Sequence, residues 1–326
     1  MGCVAMDGGA PVVPHYGVAC AMVQTVKAEM RQDERPDGGW LGFVVSHPSS
    51  KKTLDGAPAV SSQVGRERRW TAEMEASTSG AGRRRLLPGL RVGDGFTRHP
   101  FDVEFGVRTS GLVAGRHLKS GHRHDRHSTA YFGVAPSVFQ TLMRRWRRSR
   151  PSAAMDDFTF VDVGAGMGRA VLLAAEMPFK AAVGVELHAT LAGIARRNVT
   201  AWRKAGRARI PMKIICGDAI DFKWPEGPCL AFLFNPFGET VMRRMVRNWQ
   251  KSFAGRAGEL DILYVNNEQE RVLEGQDGFE RLFLGEVRRS RADAIADYRI
   301  LSNQPNGEYA SSNAEDCSMW RWKSRE

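Results

Sequence analysis

The chain has 326 residues, of which 42% are hydrophobic and 25% are charged. This composition is that of a globular protein with a sizeable core, and no apolar run approaches the ~18 residues of a membrane-spanning helix, so we expect no membrane partner. The formal net charge is +11. Nucleic acid is compatible with this charge, but an arginine-rich solvated surface is the favoured interpretation, because net charge informs on association rather than on fold.

The five cysteines are scattered along the chain and form no C-x-x-C pair. Neither a zinc site nor a disulfide framework is therefore predicted. A reducing cytoplasm fits this pattern, and no basic segment followed by a clean apolar stretch marks a secretory signal. We expect a cytoplasmic protein.

The character of the sequence changes near residue 95. Residues 1–95 are rich in Gly, Ser, Pro and Ala and show no sustained helical or strand period, which predicts a low-complexity, disordered arm. Residues 96–156 are predicted to form a lead-in segment and a helix that packs on the main domain. This helix covers residues 138–148, with Ser137 as its N-cap. Residues 157–326 form the predicted main domain.

Strands and helices alternate through the main domain, which indicates a parallel sheet covered by helices. Strands are predicted at residues 158–163, 181–186, 210–216, 229–234 and 260–265. Helices are predicted at residues 169–176, 189–204 and 238–253. The last strands, including an antiparallel pair, are predicted at residues 281–287, 297–301 and 319–322. The predicted fold is a three-layer α/β sandwich with a mainly parallel seven-stranded sheet.

A glycine-rich motif, V-D-V-G-A-G-M-G-R at residues 161–169, follows the first strand and begins the first helix. Glycines at such a turn let the backbone bend tightly and approach a ligand closely. The G-x-G-x-G spacing differs from the G-x-G-x-x-G of dinucleotide sites, which would require glycine in place of Arg169. An ordinary tight turn is the weaker interpretation. The turn residues that we predict to bind a cofactor are Gly164, Ala165, Gly166 and Gly168.

Acidic residues follow or end the first three predicted strands, where ligands bind in open α/β sheets. Asp162 suits a cationic ligand and would repel a pyrophosphate, which favours S-adenosylmethionine over NAD. Glu186 is predicted to accept hydrogen bonds from ribose hydroxyls; the alternative is an acid at a helix N-terminus. Asp218, followed by Ala219, is predicted to bind adenine, although a turn or N-cap aspartate fits the spacing nearly as well.

The stretch from residue 160 to about residue 239 resembles class I (Rossmann-like) S-adenosylmethionine-dependent methyltransferases. F-V-D-V-G-A-G-M-G-R is similar to their glycine motif, V-G-V-E-L to their ribose-binding strand and C-G-D-A to their adenine-binding turn. Bacterial members of unassigned substrate are the most similar, and non-SET lysine methyltransferases are similar more distantly. The resemblance implies that Asp162, Gly164 and Gly166 line the methionine portion of the cofactor, Glu186 the ribose and Asp218 the adenine.

Two further residues are predicted to act near the transferred methyl group. Asn235 begins N-P-F-G after the fourth strand, which resembles the N-P-P-[YF] motif of amine methyltransferases with one proline fewer. We predict that Asn235 borders the cofactor and orients the methyl acceptor; a strand-ending turn is the alternative. Tyr131, with Pro136, is predicted to close over the cofactor or else to pack where the helix begins.

A histidine-rich loop precedes Tyr131 and contains His117, His122, His124 and His127. H-x-H-x-x-H among arginines is a weak zinc pattern, so no metal is predicted and a solvated or substrate-facing basic loop is favoured. The arginines at residues 144–150 are predicted to form a solvated helix face, with phosphate binding as the alternative.

These observations predict an enzyme that transfers a methyl group from S-adenosylmethionine to a nitrogen of a protein or small-molecule acceptor. One alternative is a catalytically silent cofactor-binding module that acts as a nucleic-acid-binding or regulatory subunit. The basic charge supports that alternative, whereas the intact acid-glycine-acid set argues against it. An NAD-dependent oxidoreductase is a third, weaker alternative.

Overall fold

The computed structural model describes residues 87–91, 96–303, 309 and 311–324. The chain divides into two units, and these residues belong to the second, Leu86–Glu326. The predicted disordered arm lies outside the described residues, except for residues 87–91. Within the described part of the chain, no helix combines the length and the apolar character needed to cross a membrane.

A seven-stranded sheet forms the centre of the second unit, in the order β3-β2-β1-β4-β5-β7-β6. β1 to β5 are mutually parallel, and β7 is antiparallel to both of its neighbours. The predicted mainly parallel sheet with an antiparallel pair is therefore confirmed. The strands are β1 (Thr159–Val163), β2 (Ala181–Glu186), β3 (Met212–Cys216), β4 (Cys229–Phe234), β5 (Leu260–Val265), β6 (Phe279–Arg288) and β7 (Ala314–Trp322).

Helices connect most of the strands. They are α1 (Pro100–Phe105), α2 (Pro136–Ser149), α3 (Arg169–Ala174), α4 (Ala189–Lys204), α5 (Glu239–Ser252), α6 (Arg271–Glu274) and α7 (Arg291–Ser302). Four short 3-10 turns are also present, at Gly115–His117, Asp125–His127, Met155–Asp157 and Ala219–Asp221.

Two hydrophobic clusters cover the two faces of the sheet because successive strand residues point to opposite sides. On one face, Phe160 of β1 packs with Phe139 of α2 in the first cluster. On the other face, Val161 of β1 joins Met245 and Trp249 of α5 in the second cluster. Helices on both faces of one sheet give the three-layer sandwich that the alternating strands and helices predicted.

The described chain also includes residues before the predicted boundary at residue 95. Leu90 is buried in a third cluster with Val113, Tyr131 and Met167. The guanidinium of Arg108 donates a hydrogen bond to the Leu90 carbonyl at 2.6 Å. Residues 87–91 thus pack on the lead-in segment and on the turn that follows β1.

The N-cap predicted for α2 is wrong. The helix begins at Pro136, and Ala135 is its N-cap. Proline fits this first position because its fixed φ suits a helix and its missing N–H would have no intrahelical partner there. Ser137 lies inside the helix, where its hydroxyl accepts a hydrogen bond from the backbone N–H of Ser290 at 2.8 Å.

The strand predicted at residues 297–301 is also wrong, because this segment belongs to helix α7. Ser290 caps that helix, since its hydroxyl accepts a hydrogen bond from the N–H of Asp293. Ala296, Ile300 and Leu301 are buried at helical spacing. The capping serine ten residues upstream of Ile300 was the sequence signal that the prediction did not use.

Candidate functional site

The turn between β1 and α3 has left-handed backbone at three glycines. The φ angles of Gly164, Gly166 and Gly168 are 78°, 53° and 86°, a region that residues with a Cβ rarely adopt. A Cβ on Gly166 would lie 2.1 Å from Cε2 of the Tyr131 ring, and one on Gly164 would lie 2.4 Å from Cβ of Pro236. The glycines are therefore required both by the turn and by these two close approaches.

Glu186, the last residue of β2, binds the glycine turn directly. Its Oε2 accepts a hydrogen bond from the N–H of Gly166 at 2.7 Å, and its Oε1 accepts one from the N–H of His188, also at 2.7 Å. His188 is the N-cap residue of α4, so the helix-terminus role that the sequence left open is present. Burial raises the pKa of the Glu186 carboxyl.

Asp162 is a buried acid without a partner. It is 4% exposed, and its carboxylate makes no hydrogen bond or ion pair with any described residue. Burial, and then the charge of Glu186, raise the pKa of Asp162 to about 8. Because an isolated buried carboxylate is costly, a cation that reached Asp162 would restore a favourable ionised state.

One pocket lies where the first four strands end, and most of the predicted site residues line it. They are Tyr131, Asp162, Gly164, Ala165, Glu186, Asp218 and Ala219. Three predicted residues do not line the pocket: Gly166 lies beneath the Tyr131 ring, Gly168 faces Ala195, and Asn235 lies behind Pro236. The structure thus brings together the acids that the sequence placed on separate strands.

Asp218 lines the pocket and also serves as the N-cap of the turn Ala219–Asp221, so the N-cap alternative is present. Its Oδ1 accepts a hydrogen bond from the N–H of Ile220 at 2.9 Å. Its Oδ2 accepts one from Nδ1 of His124 at 2.7 Å, and Nε2 of His124 lies 2.9 Å from a guanidinium nitrogen of Arg244. The histidine-rich loop therefore reaches the pocket wall.

Three potential metal ligands meet at this point. Ligand atoms of His122, His124 and Asp218 all lie within 4.8 Å of one another. A metal ion would have to replace the direct bond between His124 and Asp218, and the guanidinium of Arg244 beside His124 would repel it. These contacts favour a hydrogen-bonded cluster of His124, Asp218 and Arg244 over a cation site.

Residues 115–131, which we call the strap, cross the pocket and bind the turn that follows β4. The backbone carbonyl of His127 accepts a hydrogen bond from the N–H of Gly238 at 2.9 Å. The N–H of Thr129 donates to the carbonyl of Pro236 at 3.4 Å, and the Thr129 hydroxyl donates to the carbonyl of Asn235. The strap and the N-P-F-G turn consequently form one wall of the pocket.

Asn235 has features of both predicted roles. It adopts a left-handed φ of 39°, and its N–H donates to the carbonyl of Val265 at 3.1 Å, as in a strand-ending turn. Its side-chain Oδ1 is buried and has no hydrogen-bond partner among the described residues. An unpaired buried acceptor next to a pocket residue is consistent with a ligand contact.

Tyr131 covers the glycine turn with its ring. It is 8% exposed, and its hydroxyl donates a hydrogen bond to the carbonyl of Thr109 at 2.7 Å. Burial raises the pKa of this phenol further above its ordinary value. The geometry favours a covering role for the ring over proton transfer by the hydroxyl; the catalytic role of Tyr131 stays a prediction.

Sequence reasoning missed two pocket residues. Arg169 is 3% exposed, and its guanidinium donates to Thr109 and to the carbonyls of Gly133 and Val134. His188 lines the pocket with its Nδ1 buried and without a partner among the described residues. The position of His188 two residues after Glu186 could have indicated it, whereas nothing local shows that Arg169 turns inward.

The sheet order and the glycine turn define a Rossmann-like α/β fold, similar to that of class I methyltransferases. No family model and no curated protein matches the chain. It is similar to solved structures of low identity, three of which follow. The YcgJ protein from Bacillus subtilis is 12% identical, with 58% of this chain and 98% of that chain covered and a TM-score of 0.36.

An RNA methyltransferase from Salinibacter ruber in complex with S-adenosyl-L-homocysteine is 15% identical, with 57% of this chain and 92% of that chain covered and a TM-score of 0.35. TrmN from Thermus thermophilus is 16% identical, with 58% of this chain and 49% of that chain covered and a TM-score of 0.38.

Proposed function

We propose that the protein is an S-adenosylmethionine-dependent methyltransferase that methylates a nitrogen atom of its acceptor. The observation that carries the proposal is the Asp162 carboxylate, buried in the pocket without a cationic partner. A bound ammonium group would supply the missing charge, and charge-assisted hydrogen bonds of this kind are strong. The pyrophosphate of NAD would instead meet the buried acids Asp162 and Glu186 and would oppose their ionisation, which argues against the oxidoreductase alternative.

The other pocket residues fit the remaining groups of the cofactor. Glu186 and Asp218 each accept hydrogen bonds through both oxygens. Each oxygen has a further lone pair, so Glu186 can still accept from ribose hydroxyls and Asp218 from the adenine amino group.

When bound, the cofactor supplies a methyl group whose bond to sulfur breaks as its bond to the acceptor nitrogen forms, with the electron pair retained by sulfur and the proton of the nitrogen lost to water. The protein contributes by positioning, which can supply much of the rate in a displacement of this kind. Oδ1 of Asn235 is a buried acceptor without a partner among the described residues, and Asn235 stands in the chain between the pocket-lining residues Phe234 and Pro236, so we assign this oxygen to an N–H of the acceptor. Thr129 holds the Asn235 carbonyl, and Pro236 fixes the turn against Gly164.

Calorimetric titration tests the cofactor assignment. We expect S-adenosylmethionine and S-adenosylhomocysteine to bind the full chain, and NAD to bind far more weakly or not at all. Equal binding of NAD, or no binding of S-adenosylhomocysteine by folded protein, would overturn the proposal. Incubation with methyl-labelled cofactor and a cell extract then separates an enzyme from a silent binding module, because only the enzyme transfers label to another molecule.

A further inference from the structure

The strap carries exposed cations at the mouth of the pocket. Lys119, Arg123 and Arg126 are exposed, and each is followed or preceded in the chain by a residue that lines the pocket. Those pocket residues are Leu118, His124 and Asp125. The three cations therefore lie on the exposed surface of the strap, each directly beside a residue that lines the pocket.

The acids near this opening are already bound to other groups. Asp125, the one acid of the strap, accepts hydrogen bonds from the hydroxyl and N–H of Ser120 and from the N–H of Gly121. Asp218 accepts one from His124. Among the described residues, none of the three strap cations has an acidic partner, so their charge faces solvent.

Arg244 and Arg247 of α5 add two exposed cations that likewise lack an acidic partner in the described part of the chain. The guanidinium of Arg244 lies against His124 of the strap, which places it beside the same opening. Glu239, at the start of α5, is paired with Arg243 at 2.6 Å. The basic surface therefore continues from the strap onto this helix, which also packs against the turn that carries the exposed acid Asp221.

The inner wall of the pocket is aromatic on the side of the N-P-F-G turn. Phe132, Phe234 and Phe237 line it there. A basic rim that binds phosphates, next to aromatic side chains on which bases stack, is the combination found in proteins that bind single-stranded nucleic acid. Carboxylates of an acidic peptide would also pair with a basic rim, but the adjoining aromatic wall, on which bases stack, favours nucleic acid.

We propose that the methyl acceptor is single-stranded nucleic acid, whose phosphates bind the strap cations and whose target base enters the aromatic side of the pocket. This inference rests on the proposed methyltransferase function. It changes the acceptor class favoured by the sequence, because a net charge of +11 does not show where the cations lie. Asn235 would then orient a base nitrogen rather than a peptide or side-chain amine.

The test compares two triple variants of equal charge in the full chain. In the strap variant, Lys119→Gln, Arg123→Gln and Arg126→Gln are combined. In the control variant, Arg148→Gln, Lys204→Gln and Arg209→Gln remove three exposed cations at the opposite end of the sheet, where α2 and α4 end and β3 begins. Binding of a fluorescein-labelled single-stranded RNA, and of DNA of the same sequence, is measured by fluorescence anisotropy between about 50 and 200 mM salt.

We expect the wild type and the control variant to bind the labelled strands with similar affinity and salt dependence. The strap variant should bind about tenfold or more weakly at low salt, and the slope of log K against log salt should fall in magnitude by about 2, as expected for three lost phosphate contacts. Equal weakening of both variants, or no binding of either strand by the wild type, would overturn the inference.

Two further readouts separate this inference from the proposed function. S-adenosylhomocysteine should bind the strap variant as tightly as the wild type; wild type that binds this ligand but neither strand would overturn the acceptor class alone. Label transferred from methyl-labelled cofactor in a cell extract should be released by a nonspecific nuclease. Label that resists the nuclease and is released by a protease would identify a protein acceptor and reject nucleic acid.

Discussion

Two buried aspartates at opposite ends of the sheet differ in how many hydrogen-bond partners their carboxylates have. Asp261, near the start of β5, is fully buried, and its carboxylate accepts hydrogen bonds from Trp146 at 2.8 Å, from Arg321 at 2.8 Å and from Arg150. Asp162, near the end of β1, is 4% exposed, and no described residue donates to its carboxylate. The described residues therefore supply hydrogen-bond donors to the Asp261 carboxylate and none to the Asp162 carboxylate.

The difference supports the proposed function, in which Asp261 is a structural charge and Asp162 binds the ammonium group of the cofactor. At Asp261 the arginines and the indole N–H are present in the folded chain, so the charge is compensated before any ligand arrives. At Asp162 burial raises the pKa to about 8, which means that the free protein holds this carboxyl largely protonated near neutral pH. None of the described residues supplies compensation at that end of the sheet, and the pocket that Asp162 lines gives a ligand access to it.

Removing the compensated charge should have the largest effect. Asp261→Ala leaves two guanidinium groups and an indole N–H without their acceptor, so we expect the free energy of unfolding to fall by about 3–5 kcal/mol. Urea denaturation of the variant measures this loss. Asp162→Asn is the matched control at the other end of the sheet, and it should be as stable as wild type or more stable. An Asp261→Ala protein of wild-type stability would contradict the comparison.

Asn235 extends the comparison to an uncharged group at the site. If its free Oδ1 orients the acceptor, Asn235→Ala should slow single-turnover methyl transfer about 10²-fold, equivalent to about 2.7 kcal/mol, while cofactor affinity stays nearly unchanged. The matched control is Asn266→Ala, because Asn266 follows β5 with a similar left-handed φ of 48°. Neither of its chain neighbours lines the pocket, whereas Phe234 and Pro236, on either side of Asn235, both do.

Both asparagine variants lose a side chain that tolerates left-handed backbone, so both should lose similar stability. Only Asn235→Ala should lose the methyl-transfer rate. If the two variants lose stability and rate together, Asn235 is a strand-ending turn residue and the catalytic role is wrong.

Asp162→Asn should weaken cofactor binding without weakening the fold. The loss of one charge-assisted contact to the ammonium group corresponds to about 1.5–3 kcal/mol, or roughly 10- to 150-fold in Kd. Calorimetric titration with S-adenosylmethionine measures it, with the unfolding free energy determined in parallel. Unchanged affinity in the folded variant would remove Asp162 from the site.

Much of the sheet could be predicted from the sequence because its strands are short, apolar and buried on both faces. β2, β4 and β5 have the predicted bounds, as does α4, and the glycine spacing located the turn at the end of β1. Local patterns suffice for such elements, since a continuous apolar run and a helical period are each visible in a single segment.

The rest could not be predicted because it depends on contacts between distant residues. Thr129 reaches Asn235 across 106 positions, and His124 reaches Asp218 across 94. Arg169 turns inward to bind Thr109, 60 positions earlier. No local pattern encodes these pairs, so the strap appeared in the sequence only as a basic loop with histidines.

The pH dependence of cofactor binding tests whether Asp162 must be ionised to bind the cofactor. Because the pKa of Asp162 is about 8 in the free protein, its carboxyl must lose a proton before it can pair with an ammonium group. Affinity for S-adenosylmethionine should therefore rise about tenfold per pH unit between about pH 5 and 6.5, and level off toward pH 8 as an α-amino group with a pKa of about 7.7–8.0 loses its proton. Calorimetry across this range measures the slope.

The same raised pKa fixes the sign of the effect on stability in the absence of ligand. A carboxyl whose folded pKa lies above its unfolded value of 3.8 favours the folded state most at low pH, and this contribution is lost as pH rises from about 4 to 8. Binding should thus strengthen over the range in which the ligand-free fold weakens. Asp162→Asn should reduce the pH dependence of cofactor affinity and of the unfolding free energy. The pH dependence that remains is due to Glu186, whose pKa burial also raises. If the pH dependence of affinity and of stability is the same in the variant as in wild type, Asp162 does not titrate on binding. Glu186 would then be the acid that pairs with the ammonium group.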